Sequence, residues 1–66
     1  MRISPWARRA MSDEVSAIAD RLHLQIIATN PSGPFVVRHP KLTDRRGGNV
    51  DALVLAAARE LEATDA

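Results

Sequence analysis

The stretch Leu24–His39, LQIIATNPSGPFVVRH, has the fewest ways to fold of any part of this chain. Two apolar runs flank the punctuation Asn30-Pro31-Ser32-Gly33-Pro34. Two prolines and a glycine in so short a space stop both a helix and a β-ladder. In the first run Leu24, Ile26 and Ala28 alternate with Gln25, Ile27 and Thr29, and β-branched residues are frequent, as a strand prefers. The second run, Phe35-Val36-Val37-Arg38-His39, is stopped by Pro40. The pattern predicts an antiparallel hairpin with Leu24, Ile26, Phe35 and Val37 on the buried face. Ile27 and Val36 then fall on the opposite face with Gln25, Thr29 and Arg38.

An isolated two-stranded hairpin is not stable in water, so other segments must roof one of its faces. Two helices suit that task. Over residues 12–23, Ser12 is a good N-cap, and Asp13 and Glu14 stand where the helix dipole favours acids. Val15, Ile18, Ala19 and Leu22 then repeat at i, i+3, i+4 and i+7, one apolar face. His23 closes the helix, where a cation is favoured. Over residues 49–63, Asn49 is the expected N-cap, and Val50, Leu53, Val54, Ala57 and Leu61 form the core stripe, with Leu55 on the far side. The expected architecture is a small α+β, two-layer α-β-β-α domain, two helices packed on one antiparallel hairpin. Lys41-Leu42-Thr43 is a candidate short third strand at 41–43.

Residues 1–11, MRISPWARRAM, are expected as a basic, flexible N-terminal extension, with residues 12–63 as the single domain and 64–66 as a tail. Ser4-Pro5 is a fair helix start, because proline suits the first helical position. Trp6, however, falls roughly 150° from the centre of the stripe that follows, at about 100° per residue. Met11-Ser12-Asp13-Glu14 also reads like a protein start, so the first ten residues are expected as an extension or an upstream start.

A chain of 66 residues is one domain at most and buries a small fraction of its surface. It has no cysteine, hence no disulfide to compensate. His23 and His39 have no ligand partners at metal spacing, so neither a metal nor another cofactor is expected. What is left is an efficient core or a partner that completes one. No run of eighteen apolar residues exists, so no membrane helix is expected, and the first residues lack the apolar core of a secretory signal. The expected compartment is the cytoplasm.

No catalytic motif places a nucleophile, a P-loop or a zinc protease site, and the chain reads as a non-enzyme. Net charge is only +1, but the charge is blocked. The expected loop 38–48 carries Arg38, Lys41, Arg45 and Arg46 against Asp44 alone. Gly47 and Gly48 follow just before a helix N-terminus, whose amides favour anions. These six residues are the candidate nucleic-acid or anion site; the bland alternative is a solvated loop whose arginines meet the acids of the first helix. Trp6, Ile27, Val36 and Leu55 are the candidate protein interface, since contiguous exposed apolar surface marks association.

The order helix, hairpin, basic glycine segment, alanine-rich helix is similar to a double-stranded RNA-binding domain. In that resemblance Arg45-Arg46-Gly47-Gly48, before Ala52 to Leu61, stand where the family has a basic cluster opening its last helix. Phe35-Val36-Val37-Arg38-His39-Pro40 also resembles the strand of HicA-type toxin RNases, which share that architecture. Those carry a histidine after the turn glycine or serine; here Pro34 follows Ser32-Gly33, so the activity does not carry over. The favoured expectation is a small accessory or regulatory module that binds an unidentified protein or a second copy of itself. Nucleic-acid binding through the basic segment is the alternative.

Overall fold

The computed structural model describes residues 2–64, and of the expected tail residues 65 and 66 lie outside them. The elements run α1 (Pro5–Ala10), α2 (Asp13–Arg21), β1 (Gln25–Ala28), β2 (Phe35–His39), β3 (Leu42–Gly47) and α3 (Val50–Thr64). The result is a small α+β domain, its helices packed against a three-stranded antiparallel sheet in the order β1-β2-β3.

The hairpin has the expected register. Ile26 faces Val37 and Ile27 faces Val36. Ile26, Phe35 and Val37 are buried with Leu24, and Ile27 and Val36 are half-buried on the face the helices leave uncovered. The turn is held by Asn30, whose Oδ1 accepts from the Ser32 amide at 3.1 Å and whose carbonyl accepts from the Gly33 amide at 3.2 Å. Gly33 has φ +94°, and a Cβ there would lie 3.0 Å from the Phe35 ring, so the turn needs glycine for both space and backbone.

Each helix begins on a side-chain cap. Ser4 Oγ accepts from the Trp6 amide, Ser12 Oγ from the Val15 amide at 3.2 Å, and Asn49 Oδ1 from the Ala52 amide at 3.2 Å. The end of α2 is a Schellman motif: the Leu24 amide donates to the Ala19 carbonyl and the His23 amide to the Asp20 carbonyl. This places His23 in the left-handed region, φ 59°, where glycine is the usual occupant. Leu24 and Ala19, both fully buried, supply the apolar contact that seals the motif.

Two segments differ from expectation. The basic loop 38–48 is mostly strand: β2 runs to His39, a tight turn holds Pro40 and Lys41, and the third strand covers Leu42–Gly47 rather than residues 41–43. Its ladder opposes Arg46 to Val36 and Arg45 to Val37. An irregularity beside Val37 leaves Arg38 opposite both Thr43 and Asp44. The strand was hidden by its side chains: it is an edge strand, and its ladder is made by backbone groups that charged side chains do not weaken.

The other difference is the N-terminal segment, which belongs to the packed unit. The Ser4 amide donates to the Ile26 carbonyl at 2.9 Å, and the Ile26 amide to the Arg2 carbonyl at 2.8 Å. Ile3 thereby pairs in parallel with Ile26 along the outer edge of β1. Ile3, Ala7 and Met11 are buried in the same core as Val15, Ala19, Leu24, Val54 and Leu61. Trp6 points elsewhere, as its helical angle implies, but its neighbour Ala7 carries the packing.

Candidate interaction surface

The uncovered sheet face is built by alternation. Because Ile26, Phe35 and Val37 turn toward the helices, Gln25, Ile27, Val36 and Arg38 must turn away. Arg46 joins them opposite Val36, and a shallow depression of about 230 Å³ runs beside Ile27, Val36 and Arg46. The only large apolar side chains of the uncovered face among these residues are the directly paired Ile27 and Val36.

The candidate interface residues divide between two sides of the molecule. Ile27 and Val36 meet on the sheet. Trp6 (38 % exposed) stands on α1 and Leu55 (42 % exposed) on α3, in the helical part of the domain. Single exposed apolar residues of this kind are ordinary.

The candidate anion residues also separate. Arg38 Nε donates to Asp44 Oδ2 at 2.8 Å across the open face. Arg45 turns to the helix side, where its Nε donates to Glu60 Oε2 at 3.1 Å on α3. Among the described residues Lys41, in the β2–β3 turn, and Arg46, on the open face, have no ion-pair partner. Gly47 lies in the ladder opposite Phe35, and a Cβ there would meet Leu53 at 3.4 Å, an ordinary contact, so Gly47 serves the strand and not an anion. Gly48 has open space around it.

The arginines of the basic segment therefore meet Asp44 and Glu60, and the first-helix acid that is paired takes a different arginine. Arg8 forks onto Asp20, with Nη1 to Oδ2 at 2.9 Å and Nη2 to Oδ1 at 3.0 Å. That hydrogen bond, more than the attraction of the charges, lowers the Asp20 pKa from its ordinary value and raises that of Arg8. The pair ties α1 to α2 across the break at Met11 and Ser12.

Of the two sheet edges, β1 is met at Ile26 by Arg2–Ser4, whereas among the described residues no backbone hydrogen bond reaches the outer side of β3. Those residues contain no cluster of three or more metal-ligating side chains and no helix long and apolar enough to cross a membrane. Neither protein-family models, curated proteins nor solved structures gave a match to this chain, so the uncovered face and the open β3 edge are what its function must be argued from.

Proposed function

We propose that this chain is a small, non-catalytic accessory or regulatory module that self-associates through the outer edge of β3 and the uncovered sheet face. The observation that carries this reading is the free β3 edge, with its ordered charges Asp44-Arg45-Arg46. Antiparallel pairing with a second copy about Arg45 would set Asp44 of each copy opposite Arg46 of the other, twice over. A two-fold interface requires that kind of self-complementarity, and strand addition supplies main-chain hydrogen bonds. It would also set Arg46, which has no ion-pair partner among the described residues, beside the Asp44 carboxylate that already accepts from Arg38. The half-buried Ile27–Val36 pair lies on the same continuous face, one and two strands inward. A cytoplasmic setting belongs to this proposal, because the cysteine-free composition suits a reducing compartment.

Light scattering over a concentration series is the test. A dimer is expected for the native chain, and Arg46→Asp, which puts like charges opposite one another, should give a folded monomer. A native chain that stays monomeric at every concentration, or a dimer indifferent to Arg46→Asp, would refute the proposal.

A second reading, nucleic-acid binding, draws support from two observations. A helix, the hairpin, the basic segment and a last helix follow one another as in the resemblance to double-stranded RNA-binding domains, and among the described residues Lys41 and Arg46 have no ion-pair partner. It is the weaker reading because Arg38 and Arg45 already have carboxylate partners. It requires a gel shift that fades steeply with salt.

A further inference from the structure

The uncovered face ends, beside the β2–β3 turn, in a concave site of about 680 Å³ walled by Arg2, His23, Gln25, Arg38, His39 and Asp44. We propose that it binds a phosphate monoester of sugar or nucleotide size. It shares Asp44 and the uncovered face with the self-association argued above but is carried by Arg2, Arg38 and the two histidines, which that proposal does not use.

The topology brings the group together. Parallel pairing of Ile3 with Ile26 sets Arg2 beside the start of β1, Gln25 faces Arg38 on β2, and Arg38 reaches Asp44 on β3. One polar row thus crosses the sheet. The histidines flank it from the end of α2 and the end of β2.

The hydrogen bonds set what the row offers a ligand. Arg2 Nη1 lies 2.9 Å from His23 Nδ1, and a guanidinium can only donate, so that nitrogen is the acceptor. The Lys41 amide donates to His39 Nδ1 at 3.1 Å. Both rings therefore carry their proton on Nε2, leaving each an N–H for a ligand. Arg2 uses one of its five N–H donors here, and Arg38 commits its Nε to Asp44, leaving its terminal nitrogens. Asp44 is the single carboxylate of the wall and is already engaged in orienting Arg38. Donors so outnumber acceptors that the complementary ligand is an anion, and planar forks match a phosphate's oxygens.

Size narrows the class. The site falls within the span of small-molecule pockets, about 300–1,000 Å³, far more than a bare phosphate ion fills.

The test is a nuclear magnetic resonance titration of the full chain, read at the His23, His39 and Gln25 side chains. The probes are inorganic phosphate, ribose 5-phosphate, ribose and a short RNA. Saturable shifts are expected with ribose 5-phosphate at millimolar concentration or below, weaker ones with inorganic phosphate and none with ribose. Arg2→Gln and Arg38→Gln should each weaken ribose 5-phosphate by about tenfold, the loss of one charge-assisted contact, while thermal melts show both variants folded. The proposal is overturned by the absence of saturable shifts, by ribose matching its phosphate, or by folded variants that bind unchanged. RNA binding without ribose 5-phosphate binding also overturns it, in favour of backbone phosphates.

Discussion

Ile3→Ala tests whether the first residues are part of the core. The side chain is 5 % exposed and sits against Ile26, with Ala7 and Met11 in the same cluster. Isoleucine to alanine removes three carbons, worth about 2.4 kcal/mol at ~0.8 per buried methylene group. An unrelaxed cavity would add to this and push the cost toward the upper part of the ~2–5 kcal/mol range. A terminal segment has another way out, because it can undock. Undocking also forfeits the two backbone hydrogen bonds to Ile26, each worth about 1 kcal/mol net. The expected loss is therefore about 2–3 kcal/mol. A domain of 66 residues at ~0.05–0.15 kcal/mol per residue has about 3–10 kcal/mol in all. At roughly 4–8 °C per kcal/mol the melting temperature should fall by about 10–20 °C. Urea and thermal melts followed by circular dichroism measure this, with half-exposed Trp6→Ala on the same segment as the control. An Ile3→Ala chain within about 0.5 kcal/mol of the native one, the scatter of ordinary surface changes, would mean that residues 2–11 add nothing to the core.

His23→Gly should raise stability by about 0.5–1 kcal/mol, since the left-handed strain relieved exceeds the exposed bond lost to Arg2; a lower urea midpoint would show that the Arg2 contact dominates. Gly33→Ala should cost about 1–3 kcal/mol through its φ and the approach to the Phe35 ring, and an unchanged melt would mean the turn can rearrange freely. Asp20 has a depressed folded pKa, so its contribution is present above the ordinary carboxylate range and lost as pH falls through the folded value. Melts taken from neutral to acid pH should accordingly show a decline that is shallower in Asp20→Asn; identical profiles would assign the acid response to other carboxylates.

The hairpin and the two long helices were legible because each buries one face, and burial of one face writes a period into the side chains. Ile26, Phe35 and Val37 differ from Gln25 and Arg38 at period two, and Val50, Val54, Ala57 and Leu61 recur at helical spacing. The caps Ser12 and Asn49 were readable for a similar reason: their oxygens serve amides three residues away. The left-handed His23 was not readable, because a histidine at a helix end fits the dipole argument equally well.

Local periodicity along the chain was enough to settle the elements from Ser12 to Arg38 and from Asn49 onward, together with the face each one buries. Packing in three dimensions decided the rest. Leu42–Gly47 become a strand through backbone bonds to β2, and Ile3 joins the core through backbone bonds to Ile26. Such bonds are made by groups that every residue but proline carries in full, so they leave little trace in side-chain chemistry. The pairing of Arg38 with Asp44 and of Arg45 with Glu60, and the gathering of Arg2, His23 and His39 at one end of the sheet, likewise arise only once distant segments are laid side by side.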